Sequence, residues 1–148
     1  MINLNGWVDI ELVDSLTGEV KQERHSHNLI TISGHAHVAD QMADQGEAQM
    51  SHMAVGTGSG QTSGDNTLAT ELDRNTFQSG PTQLTGGNIN KVQYVGFWDA
   101  GDATGAITEA GIFNDASAGS MLCYQSFAVI NKGANDQLTI TWTVEFTS

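Results

Sequence analysis

Apolar and polar positions alternate most sharply between residues 138 and 146. Leu138, Ile140, Trp142, Val144 and Phe146 share one parity, and Thr139, Thr141, Thr143 and Glu145 the other. Successive side chains on a strand point to opposite faces, so this pattern predicts a strand with a buried and a solvated side. Trp142 and Phe146 are expected in the core. Trp7 to Val13 repeats the pattern, with Val8, Ile10 and Leu12 facing one way and Asp9 and Glu11 the other. Asp14 to Gly18 reads as a turn, and Val20 to His27 returns as a more polar strand. Together these segments predict an N-terminal hairpin arm, residues 1–28, standing off a main body of residues 29–148.

Further strands are expected at Met53–Val55, Lys91–Trp98, Ile107–Phe113 and Met121–Ile130. Turns fall at Gly80-Pro81 and at Lys132-Gly133-Ala134-Asn135-Asp136. Glu109 and Asn114 flank a strand rich in small residues, as at a tightly packed sandwich edge. One segment changes period: Val38, Ala39, Met42 and Ala43 suit a short amphipathic helix over Gly34 to Asp44, with Ser33 as N-cap and Gly46 as stop. A second short helix is expected from Asn66 to Leu72, capped by Asp65. Turn signals recur about every 8–12 residues. The class is therefore mainly β: an antiparallel sandwich or barrel-like domain with one short α-helix.

Composition agrees. The chain has 148 residues, 17 of them glycine and one proline, which fits many turns. A domain of this length buries roughly 70% of its unfolded surface and needs no covalent staple. The single cysteine, Cys123, lies in an apolar run and is expected to be a buried hydrophobe. The opening residues carry no basic stretch followed by an apolar one, so no secretory signal is expected. No run approaches the roughly 18 apolar residues of a membrane span.

Charge narrows the partners. Seventeen acidic residues against five basic ones give a formal charge of −12. Neutralising phosphates takes Lys and Arg, so neither nucleic acid nor an anionic membrane is an expected ligand. The excess instead steers the protein towards a basic partner surface.

Candidate chemistry is sparse. His25 and His27 would share a strand face and could hold one metal ion with His52 or an aspartate, whereas surface or interface histidines are the plainer reading. His35 and His37 would lie about 200° apart on a helix and could not chelate together. With an ordinary pKa near 6.5, the histidines could also sense pH. Val55 to Gln61 is glycine-rich, but no Lys-Ser/Thr pair follows to hold phosphates and magnesium, so a flexible loop is expected. Asp99, Asp102 and Glu109 lack the ligand alternation of a calcium loop. No serine sits in a G-x-S-x-G elbow, and no carboxylate pair stands out. The expectation is a protein without enzymatic activity, cofactor or metal.

An ordered series of segments carries a resemblance. It starts at Asn28-Leu29-Ile30-Thr31 and continues through Met53 to Gly58, then Asn66 to Leu72 with Arg74 behind it. Gly105 to Asn114 is its strongest stretch, followed by Gly119 to Leu122, Phe127, Ile130 to Asp136 and Leu138 to Thr143. Over roughly 120 residues the chain resembles small structural proteins of tailed bacteriophages. His35 and His37 depart from the more aliphatic helix expected there, and Gln78 to Asn90 matches nothing. The resemblance implies a virion component assembled in the host cytoplasm, and family members are assigned variously to capsid decoration and to tails or fibres. The expectation adopted is a capsid decoration (cement) protein, a homotrimer or other symmetric oligomer bridging copies of the major capsid protein. Trp7, Ile10, Leu12, Val20 and Arg24 of the hairpin are its candidate contact residues. The second reading is a tail or tail-fibre component that recognises a host surface through loops Gly56 to Gly64 and Thr82 to Asn90.

Overall fold

A computed structural model describes residues 2–148. Ten strands form two five-stranded sheets. The strands are β1 (Asn3–Asp14), β2 (Val20–His27), β3 (Leu29–Ile30), β4 (His52–Gly56), β5 (Glu71–Thr76), β6 (Ser79–Gln83), β7 (Lys91–Trp98), β8 (Gly105–Phe113), β9 (Met121–Lys132) and β10 (Asp136–Thr147). One sheet, A, has the order β2-β1-β10-β7-β6 and the other, B, the order β3-β9-β8-β4-β5. All pairings are antiparallel. Each sheet keeps two edges, so the body is a sandwich, not a barrel.

Parity builds the space between the sheets. Val8, Ile10 and Leu12 of β1, Leu138, Ile140, Trp142 and Val144 of β10, and Tyr94 and Trp98 of β7 face Met53, Val55, Ile107, Ile112, Cys123 and Ile130 of sheet B in one buried cluster. Gly96 leaves room for this packing, since a Cβ there would lie 2.6 Å from the Met53 sulfur.

The hairpin forms as its alternation predicts, but it is no arm. Strand β1 pairs with β10 along all twelve of its residues, from Asn3↔Thr147 to Asp14↔Asp136, and so lies inside sheet A. Its apolar face is covered by sheet B, so the division into residues 1–28 and 29–148 gives way to a single two-sheet body. The strand at 105–113 is likewise no edge: β8 lies between β9 and β4.

The helix α1 (Ile32–Ala43) starts two residues before the predicted one. Thr31, not Ser33, is its N-cap, accepting the Gly34 N–H at 2.9 Å. Asp44 closes it in a left-handed conformation, φ 52°. Gly34 permits close approach to β9, because a Cβ would lie 2.0 Å from the Leu122 carbonyl oxygen. The Gly80-Pro81 pair sits inside strand β6 and not in a free turn.

No second helix forms at 66–72. Residues 57–70 instead make a strap over the outer face of sheet B, where Leu68 joins Ala54, Phe113, Met121 and Tyr124 in a second buried cluster. Glu109, fully buried, fastens it. Its Oε2 accepts the N–H groups of Gly58 at 2.9 Å and Thr70 at 2.8 Å. Its Oε1 accepts the Ala69 N–H at 2.8 Å and the Tyr124 hydroxyl at 2.7 Å. A helix would spend those N–H groups within itself; the carboxylate competes for them and wins, because hydrogen bonds to a charged acceptor are worth about 1.5–3 kcal/mol each.

Replacing that carboxylate with an amide tests the fastening. Glu109→Gln puts an NH2 donor against donors and is expected to cost about 2 kcal/mol or more. Thermal melting should show the loss, and amide exchange should accelerate at Gly58, Ala69 and Thr70 before β1 and β10.

Candidate partner-binding site

The five predicted contact residues do not form one surface. Ile10 and Leu12 are buried, at 2% and 0% exposure, and cannot reach a partner. Trp7 is half-buried on the outer face of sheet A, with the Lys91 ammonium 5.4 Å from its ring centroid. Val20 is exposed at the start of β2, as is Leu16 in the preceding turn. Arg24 is occupied within the molecule: its Nε donates to the Ala128 carbonyl at 3.2 Å and its Nη2 to the Val129 carbonyl at 2.9 Å. Those carbonyls lie where β9 breaks register with β8, between the pairs Ile107↔Ile130 and Glu109↔Ser126. Gln22 adds a second tie, accepting the Asn131 N–H at 2.9 Å. The inward side chains of β2 thus clasp one side of the sandwich shut.

Where β1 meets β2, the outer face of sheet A is polar beyond Trp7. Glu11 stands directly opposite Glu23, and Asp9 opposite His25. His25 Nδ1 is 2.5 Å from the Asp9 carboxylate. That hydrogen bond, helped by the charges of Asp9 and Glu23 and opposed by slight desolvation, raises the His25 pKa above its ordinary value. Among the described residues no three His, Cys, Asp or Glu side chains are grouped to hold a metal ion. On α1, His35 is exposed and His37 buried, as their angular separation requires. Cys123 is enclosed, and burial pushes its thiol pKa far up, so it is an inert core residue.

The two glycine-rich loops lie on different sheets. Residues 57–64 belong to the strap on sheet B, and 84–90 form the β6–β7 turn of sheet A.

A groove of about 330 Å³ with largely apolar walls lies between α1 and the end of sheet A. Val38 and Met42 of the helix form one wall, and Pro81, Val92, Val144 and Phe146 the other. Met50, Leu122, Tyr94 and His37 line it as well. Met42 stands 80% exposed at the rim. His37 Nδ1 lies 3.1 Å from Glu47 Oε1, which also accepts the Asn114 amide at 3.0 Å. Phe146, predicted as core, is half-buried because its strand ends at this groove. Parity marks Val92, Val144 and Phe146 as inward-facing, but no sequence signal shows that the opposing layer stops short of them.

Two outcomes are expected here. Arg24→Ala should cost about 0.5–1.5 kcal/mol through the lost ties to two solvent-accessible carbonyls and should speed exchange in β2 selectively. His25 should titrate above 6.5 by NMR and return towards it in Asp9→Asn. A raised folded pKa means the pair's contribution to stability is complete below the unfolded value and is lost as pH rises through the folded one.

The sequence compares with known proteins at one level. No curated protein and no solved structure matches it. The family described as phage tail-collar fibre protein, N-terminal, matches residues 24–147. That span runs from β2 through β10 and includes the strap, the helix and every groove-lining residue. With so much of the two-sheet body inside the match, the chain belongs to the phage tail-collar fibre family and is a structural protein of the phage virion.

Proposed function

We propose that the protein is a tail or tail-fibre component, working by contact with neighbouring protein subunits and without catalysis. The family match over residues 24–147 carries this reading. The expected role as a capsid decoration protein on the major capsid protein rested on size, acidity and general resemblance, and the match favours the tail. Assembly as a symmetric homo-oligomer, a trimer, belongs to the same proposal.

The disposition of charge supports a protein partner. All five basic side chains are engaged within the fold. Lys21 pairs with Asp136 at 2.9 Å, Arg74 with Glu71 at 2.6 Å and Lys91 with Glu145 at 3.3 Å. Arg24 holds two carbonyls of β9, and the buried Lys132 donates to the Asp99 carbonyl at 2.8 Å. No cation is free to meet phosphate, so nucleic acid is a poor partner. No helix among the described residues is long and apolar enough to cross a membrane.

Copy number and position in intact particles, by gel densitometry and cryo-EM, test the proposal. A few to dozens of copies at the tail are expected. Hundreds on the icosahedral shell would overturn it.

A further inference from the structure

The groove beside α1 combines three properties that together describe a ligand. Its walls are apolar, so the occupant presents an apolar body. Two polar side chains line it although each is more than nine-tenths buried: Tyr94 at 7% exposure and His37 at 6%. Among the described residues the Tyr94 hydroxyl has no hydrogen-bond partner, and neither has His37 Nε2. The fully enclosed, unpaired polar atoms are others: the indole N–H groups of Trp98 and Trp142, the Asn28 amide and Arg74 Nε. Tyr94 and His37 are instead residues of the groove's lining. His37 meets Glu47 through Nδ1, which leaves Nε2 for another partner. The groove thus asks for a hydrogen-bonding group at the tip of an apolar body.

The third property is charge. No Lys or Arg lines the groove. Helix α1 ends beside it with no basic residue in its last turn. Its terminal carbonyls carry partial negative charge, and Asp40, Asp44 and Glu47 cluster at that end: Asp40 accepts the Glu47 N–H, and Asp44 is the C-cap. The helix side of the mouth is therefore acidic and complements a cation.

We propose that this groove docks one aromatic side chain with a hydrogen-bonding group at its tip, Tyr or Trp, flanked by Lys or Arg and presented by a different virion protein. Such a residue combines a large buried area with a polar handle, the combination that anchors subunit interfaces. The proposal rests on the reading of the chain as a tail component and names the chemistry of its partner. Met42, exposed at the rim, becomes part of that interface.

Two experiments test it. In solution, the full chain with ¹³C-labelled methionine methyls is titrated with acetyl-Arg-Tyr-Arg-amide. Met42 and Met50, which line the groove, should shift saturably, while Met53 and Met121, sealed in the two cores, should not. Acetyl-Glu-Tyr-Glu-amide and acetyl-Arg-Ala-Arg-amide should each bind at least about tenfold more weakly. Tyr94→Phe should weaken the Tyr peptide about threefold to tenfold, the worth of one hydrogen bond, with unchanged Met53 and Met121 signals reporting an intact fold. Equal response to all three peptides, or none at Met42 and Met50, overturns the proposal.

On particles, a photoreactive phenylalanine in place of Met42 should cross-link to a different virion protein, at a Tyr or Trp beside Lys or Arg. Cross-linking only to a second copy of this chain, or to nothing, overturns it. Particle location is read separately by cryo-EM, so a chain found on the tail with no such cross-link refutes the groove alone. A cross-link in particles that carry the chain on the shell refutes the tail assignment alone.

Discussion

The structure depends on the twelve-residue ladder between β1 and β10. It joins segments more than 120 positions apart in the chain, so its loop-closure entropy is met only once most of the fold is in place. What repays that cost is burial. Val8, Ile10 and Leu12 lie opposite Trp142, Ile140 and Leu138, and all six are at most 2% exposed. Burying such a side chain is worth roughly 1.5–3 kcal/mol each. A hairpin standing free in water would forgo nearly all of this. The alternation that suggests an exposed arm in need of a partner is equally the pattern of an internal strand, and the partner it finds is within the chain.

With β1 inside sheet A, between β2 and β10, the rest of the arrangement follows. Its hairpin mate β2 becomes an edge, and its inward positions, Gln22, Arg24 and Ser26, are polar. Polar inward residues at an edge need partners, and β9 supplies carbonyls for Arg24 and the Asn131 N–H for Gln22. Sheet B meets the same requirement in another way. Its outer face is apolar at Ala54, Phe113 and Tyr124, and the strap covers it with Leu68 while Glu109 collects the strap's free N–H groups. A buried carboxylate without a counter-cation is tolerable only because four donors converge on it.

Strand positions were largely legible because parity is a local signal. β2 and β7 match their expected bounds, Val20–His27 and Lys91–Trp98, and β10 extends its expected range by two residues at its start and one at its end. What stayed hidden depends on residues distant in sequence. Thr31 caps α1 in place of Ser33; both hydroxyls donate to the Met121 carbonyl, a contact no local pattern shows, but only Thr31 also accepts a helix N–H, that of Gly34. The strap looks helical from Asn66 to Leu72 until Glu109, about forty residues on, claims its backbone. The candidate site was the least legible feature. Val38, Met50, Pro81, Val92, Leu122 and Phe146 come from six separate segments, and each alone reads as ordinary core or turn.

Charge and groove together limit how this subunit can be held. The five Lys and Arg side chains are committed inside the fold, and the remaining carboxylates of the surface repel one another, as Glu11 and Glu23 do across β1 and β2. Association that brings basic residues to the subunit relieves this repulsion and speeds encounter. Such a field attracts any basic surface and cannot by itself select one. Selection needs a feature that a wrong partner fails to satisfy, and buried polar groups supply it. An occupant lacking a hydrogen-bonding group would leave Tyr94 and His37 desolvated and unpaired, a penalty larger than the gain from one good hydrogen bond. On the proposed docking, the acidic surface would govern approach and the groove identity, a division of labour by which a small subunit could associate rapidly and still occupy one place in the particle.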